Sequence, residues 1–507
     1  MKAFRLIAIV LAFAMLLTAC ENTSIDAKYG DVRRSFNDLV IPELSVTPNG
    51  ASADFELTLE AEDAALTGGA RASGTFVSGM NQDGDSITFT VSVDNAGFYD
   101  LNFVSKGSTN RVNSVSVDGY KVADITPTSE SDFADSYARY IYLSAGEHEV
   151  TLTPSWGWVD FDKLIVTANK TDAEKVYNVT APLTNPNADE HTRMLYKFLC
   201  DIYGKYSLSG QYADRGRESD EYKAILDATG ESFAVLGLDM NYYTPIATRN
   251  GAESHAVEYA HDWYYNAGGI VQFCWHWCLT PQYLAEGRQW WESFRAEAVT
   301  FDLDAAMNGE SGKAYDRLMK DIDAIAELLK RLQEDGVPVL WRPLHEASGG
   351  WFWWGNFGPE NYIKLWREMY DKLTNEHGLT NLIWVWNGQD PDWYPGDDVV
   401  DIVAWDIYPG YHEYGSFSST FEKCIQSYGE TKLIALSENG CVMDPDLTYR
   451  DNARWLLWGI WNGEFTINGD GSLSQQYTEL DMLKKAYGSD YTLTLDELPN
   501  LRKYPLN

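Results

Sequence analysis

Two glutamates carry the chemistry that this sequence could perform. Glu346 closes the run Trp341-Arg-Pro-Leu-His-Glu346, and Glu438 lies inside Ser437-Glu-Asn439. Each follows a short apolar run of the kind that forms a buried strand. Breaking a glycosidic bond requires a proton for the leaving oxygen and a carboxylate facing the anomeric carbon. Two carboxyls about 5–5.5 Å apart do this with retention of configuration. Other apolar runs end in Trp275-His276-Trp277, Asp406-Ile-Tyr408 and Trp461-Asn462. Histidine and tyrosine can hydrogen-bond sugar hydroxyls, and aromatic faces match the apolar faces of sugar rings. Trp275 and Trp277 are expected to straddle His276. A purely structural role for the glutamates would demand basic partners, and the sequence places none obviously beside them.

The elements that must position these groups begin near residue 187. Eight apolar, β-branched runs follow, near residues 207–211, 233–238, 269–275, 337–341, 381–386, 400–405, 432–437 and 455–460. Helical stretches such as 315–334 and 361–374 separate them. Continuously apolar strands alternating with helices predict a closed parallel (β/α)8 barrel over residues 187–507. In that architecture functional groups cluster past the C-terminal strand ends. Strands four and seven lie on opposing arcs, so Glu346 and Glu438 can face each other across one cleft. An open doubly wound sheet would instead require a glycine-rich nucleotide fingerprint near its first strand, and none is present.

Residues 51–168 are written differently, in short alternating runs such as Ser86–Val93 and His148–Leu152, with Asp118-Gly119 a tight hairpin turn. They predict an all-β sandwich, joined to the barrel by a polar linker over 169–186. The N-terminus carries Lys2 and Arg5, an apolar run from Leu6 to Leu17, and then Leu17-Thr-Ala-Cys20. That run is short for a membrane span and reads as a signal peptide over residues 1–19. Its ending is similar to a bacterial lipoprotein box, which implies lipid attachment at Cys20, with residues 20–50 as a tether. The five other cysteines are scattered and give neither a disulfide framework nor a zinc site. The chain has 39 basic and 75 acidic residues, a formal net charge of −36. So acidic a surface excludes nucleic acid as a partner.

The residues around Glu346, through Trp341–Gly355, resemble glycoside hydrolase family 26, and the likeness runs from Asn187 to about Thr466. The resemblance implies a retaining β-mannanase, with Glu346 as acid/base and Glu438 as nucleophile. It implies substrate contacts for His276, His345, Trp351, Asp406, Tyr408 and Trp461, with Tyr408 hydrogen-bonded to the nucleophile. The sandwich resembles carbohydrate-binding modules of families 35 and 6, on Glu60-Ala-Glu-Asp-Ala64 and Trp156–Val166. That likeness implies a structural calcium on Glu60, Glu62 and Asp162, and a sugar platform at Trp156 and Trp158. Catalysis is expected to need no cofactor.

The expected substrate is β-1,4-mannan, glucomannan or galactomannan. Two alternatives stand beside it: the same scaffold acting on β-1,3-xylan or mixed-linkage glucan, and a non-catalytic glycan-capture protein. The expected setting is the outer membrane of a Gram-negative bacterium, at the periplasmic face or cell surface, with the chain a lipid-anchored monomer.

Overall fold

The structure is a computed structural model that describes residues 38–155, 158–428 and 432–506. The signal peptide, Cys20 and Trp156 lie outside the described residues.

Among the described residues, eight parallel strands close into a barrel: β1 (Ser207–Tyr212), β2 (Val235–Asp239), β3 (Ile270–Cys274), β4 (Val339–Arg342), β5 (Leu382–Trp386), β6 (Ile402–Ile407), β7 (Leu433–Asn439) and β8 (Leu457–Ile460). Hydrogen bonds between β1 and β8, and between β1 and β2, complete the ring. All eight predicted runs therefore become strands. Their largely apolar character, β1 excepted, has a physical cause: side chains on one face fill the barrel interior and those on the other meet the helices. Helix Gly312–Glu334 buries Leu318, Ile322, Ile325 and Leu329, a stripe at helical spacing. A short strand, Thr492–Leu493, adds in parallel beside β1 and was not foreseen.

One irregularity bears directly on function. Asp406 pairs with Glu438, although one residue earlier Trp405 pairs with Leu436. On the other edge, Leu436 pairs with Trp458 and Asn439 with Ile460. Strand β7 thus carries one extra residue relative to both neighbours, a bulge at Ser437 that re-aims the side chain after it.

The sandwich has two antiparallel sheets. One holds Ala65–Thr67, Ser86–Val93, Gly146–Pro154, Asn113–Val117 and Tyr120–Ile125 in that spatial order. The other is built around Gly97–Gly107 and Val159–Ala168, with Glu56–Glu60 pairing the latter. Ile87, Phe89, Val91 and Val93 point inward while the residues between them face outward. Asp118 and Gly119 both take left-handed φ, as the two-residue hairpin requires.

The two domains touch. The backbone NH of Arg139 donates to Ser419 Oγ at 3.1 Å, and Thr171 Oγ1 donates to Glu422 at 3.1 Å. The tether expectation needs correction at its C-terminal end. Leu39, Ile41, Leu44 and Val46 pack against the barrel, and Thr47 exchanges two 2.9 Å hydrogen bonds with Asn452. Apolar residues spaced along this polar-looking stretch are what dock it. The predicted linker is docked too: Val176 and Tyr177 are buried, and Thr184 NH donates to Asp401 at 2.7 Å.

Candidate active site

The C-terminal strand ends assemble a buried charge cluster. Arg342, the last residue of β4, is fully buried and donates to Asp406 Oδ2 at 2.9 Å, to Glu438 Oε1 and to the Tyr212 hydroxyl at 3.0 Å. Glu438 therefore does have a basic partner, contrary to expectation. Arg342 was in view in the run leading to Glu346, but its partners lie 64 and 96 residues further on. Such a pairing is invisible without the fold. Tyr408 donates to the other Glu438 oxygen at 2.7 Å. Ser437, at the bulge, donates to Asp406 Oδ1 at 2.7 Å and accepts from Asn387 at 3.0 Å.

Glu346 sits opposite on strained backbone. Leu344 and Glu346 have φ of 51° and 52°, left-handed values unusual for residues with side chains. Asn387 at the end of β5 holds the turn: the Glu346 NH donates to its carbonyl at 2.7 Å and to its side-chain oxygen at 3.0 Å. Nothing in the sequence pattern marked Asn387 for this role. Carboxylate oxygens of Glu346, Asp406 and Glu438 come within 4.8 Å of one another. That proximity fits direct nucleophilic attack.

The two glutamates differ electrically. Burial raises Glu346 to about 9, helped by the Asp406 and Glu438 charges. Burial also raises Glu438, but only to about 7, because the Arg342 charge and the Tyr408 hydrogen bond oppose it. The proton of the pair accordingly belongs to Glu346, and Glu438 ionises first. The Trp351 indole NH donates to Glu346 Oε2 at 2.8 Å.

His276 follows β3. Asp239, at the end of β2, accepts from its Nδ1 at 2.7 Å and from its backbone NH at 3.1 Å. Its Nε2 lies 3.3 Å from Nε2 of His345. His345 is held neutral by burial and by the charges of Arg342 and His276. Trp275 and Trp277 do not straddle His276: they stack on each other at 4.1 Å, fully buried. Neither lines the cleft that His276 enters. Phe294, Phe352 and Trp461 surround the imidazole instead, with centroids at 5.0, 5.5 and 5.8 Å.

These groups line a cleft of about 730 Å³. Trp461 tilts over Tyr212 at 4.5 Å as a floor beside the glutamates. Trp351, half exposed, forms a wall, and Tyr242 and Asn462 mark the rim beyond the His276 side. Gly349 is needed for that wall, because a Cβ there would overlap the Trp351 ring. Trp353 and Trp354 are buried supports: their indoles donate to the carbonyls of Trp277 and His345 at 2.7 and 2.8 Å. Of the predicted contact residues, His276, His345, Trp351, Tyr408 and Trp461 all line this cleft, while Asp406 lies behind it on Arg342.

The sandwich residues behave otherwise. Trp158 is 76% exposed ahead of the last strand. Glu60, Glu62 and Asp162 do not converge as a metal site among the described residues. Lys163 bridges Glu60 and Asp162 at 3.5 and 3.2 Å, and a buried oxygen of Glu62 has no partner.

Comparison with known proteins places both halves. Residues 184–497 match the model for glycosyl hydrolase family 26, and residues 55–169 match carbohydrate binding module family 35. A mannan endo-1,4-β-mannosidase of Thermothelomyces thermophilus is 36% identical over 451 residues, covering 87% of this chain and 90% of that protein. Mannan endo-1,4-β-mannosidase B of Piromyces sp is 35% identical over 84% of this chain and 73% of its own length. The crystal structure of a Podospora anserina β-(1,4)-mannanase with the same two modules is 37% identical. It superposes with a TM-score of 0.63, covering 89% of this chain and all of that one.

Proposed function

The chain belongs to glycosyl hydrolase family 26, and on that premise we propose that it is a retaining mannan endo-1,4-β-mannosidase acting by double displacement. The observation that carries the reading is the pair of close, unequal carboxyls, Glu346 protonated and Glu438 held charged by Arg342 and Tyr408. Neutral Glu346 gives its proton to the glycosidic oxygen as the bond to the anomeric carbon breaks. Glu438 attacks that carbon from the other face and forms a glycosyl ester. Glu346, now ionised, takes a proton from water, whose oxygen displaces Glu438 and leaves the β-anomer. No cofactor enters either step.

The remaining groups serve this sequence of events. His276, fixed by Asp239, presents Nε2 to the cleft for a sugar hydroxyl. Trp461 supports the ring undergoing substitution, and Trp351 steers the acid while packing against the leaving sugar. Trp158 supplies an exposed platform on the sandwich for a second glycan contact. The apolar N-terminal run and Leu17-Thr-Ala-Cys20 support export and lipid attachment at Cys20, with the enzyme at the outer membrane of a Gram-negative bacterium. The test is a time course of product sizes from linear β-1,4-mannan, with β-1,3-xylan and mixed-linkage glucan alongside. Mixed oligosaccharides appearing early from mannan support the proposal. Cleavage of either other glycan with mannan untouched overturns it.

A further inference from the structure

The loops after β6 and β8 carry aromatic rings that the catalytic scheme does not use. Tyr408, which touches the nucleophile, lies 5.2 Å from the Phe465 ring. Phe465 lies 4.4 Å from Tyr477, and Tyr477 lies 4.9 Å from Tyr411. The row begins in the cleft, which Phe465 lines, and ends at Tyr411, 59% exposed. We propose that Phe465, Tyr477 and Tyr411 form an accessory sugar-binding strip that extends the cleft and takes pyranose rings of a long β-mannan chain beyond those flanking the scissile bond. The inference rests on the mannanase reading above.

Three features argue for a ligand surface rather than loop packing. The outermost ring is the most exposed, whereas a ring recruited to seal a loop is normally covered. The strip is also fixed before any sugar arrives. Gln476 Nε2 donates to the Tyr411 hydroxyl at 2.9 Å, His412 NH donates to the Tyr477 carbonyl at 3.0 Å, and His412 Nε2 donates to the Gln475 carbonyl at 3.0 Å. His412 takes φ 62° to make these contacts. A surface ordered in this way gives up little entropy on binding. Finally, the strip ends beside open space: the residues that follow Tyr411, His412 to Ser416, line a gap of about 690 Å³ between barrel and sandwich. Tyr120, 72% exposed, faces that gap from the sandwich side. A chain leaving the strip is received between the two domains.

The experiment compares Tyr411→Ala and Tyr411→Phe with the unmodified full chain on mannotriose and mannohexaose. The expected result is that Tyr411→Ala lowers the ratio of kcat/KM on mannohexaose to that on mannotriose by about fivefold, through KM, as loss of one stacked ring implies. Tyr411→Phe keeps the ratio, because the ring face is retained. An equal loss on both substrates, or no loss on either, overturns the strip. If the unmodified chain cleaves no manno-oligosaccharide, the mannanase reading itself has failed and the strip fails with it.

Discussion

Two acidic clusters, each bridged by one cation, behave in opposite ways. On the sandwich, Lys163 bridges Glu60 and Asp162 with 20–42% of each side chain in water. In the barrel, Arg342 bridges Asp406 and Glu438 with at most 5% of any of them exposed. Water screens the first group, so its members hold each other weakly. Removed from water, the second group must be neutralised and hydrogen-bonded from several strands at once. That requirement separates the proton affinities of Glu346 and Glu438. The difference teaches that burial, not the count of carboxylates, makes an acidic cluster reactive.

Removing the attacking group is the most severe way to probe the barrel cluster. Glu438→Ala is expected to lower kcat on mannan by more than about a thousandfold, because no carboxylate remains to form the ester. Melting measurements run alongside should find the fold intact, and undiminished turnover would refute the assignment of the nucleophile.

Arg342→Met sharpens the contrast between the clusters. It leaves Asp406 and Glu438 buried without their cation, a loss of about 3–5 kcal/mol by analogy with other broken buried pairs. Lys163→Met, which opens the exposed cluster, should leave the denaturation midpoint almost unchanged. Comparable losses in the two variants would break the comparison.

The pH profile tests the same asymmetry more gently. Activity should fall on the acid side as Glu438 gains a proton and can no longer attack. It should fall on the alkaline side as Glu346 loses the proton it must donate. Glu346→Gln should abolish the alkaline limb, since that side chain has no proton to lose. In any residual activity of Arg342→Met the acid limb should move to higher pH, because the charge that favours ionised Glu438 is gone. An alkaline limb that persists in Glu346→Gln would assign the proton elsewhere.

The smallest effect is expected at Gly349. An alanine there collides with the Trp351 ring, shifts the wall and weakens the indole hydrogen bond to Glu346. KM should rise several-fold with little change in thermal stability.

Much of the barrel was legible in the sequence because strands covered on both faces are mostly apolar, as all but β1 are. Glu346 and Glu438 were legible for a related reason, since a carboxyl ending such a run is costly unless it is used. What escaped notice depends on contacts between strands. The bulge at Ser437 appears only when the β6 and β8 registers are laid against β7. Arg342 reads as a neighbour of Glu346, yet its guanidinium serves Glu438. The stacking of Trp275 on Trp277 was obscured by their chain adjacency to His276. In the sandwich, Tyr137–Leu143 was not anticipated, because a bend at Tyr140, φ 59°, interrupts the alternation.

The central claim, that Glu438 attacks directly while Glu346 gives and then takes back a proton, is tested most directly by the configuration of the first product. Proton NMR of a manno-oligosaccharide digest, recorded before mutarotation proceeds, reads it. The account predicts that the new reducing end appears first as the β-anomer and converts slowly to α. An α-anomer formed first would mean single displacement by water, and would contradict the close pairing of the two carboxyls on which the account depends.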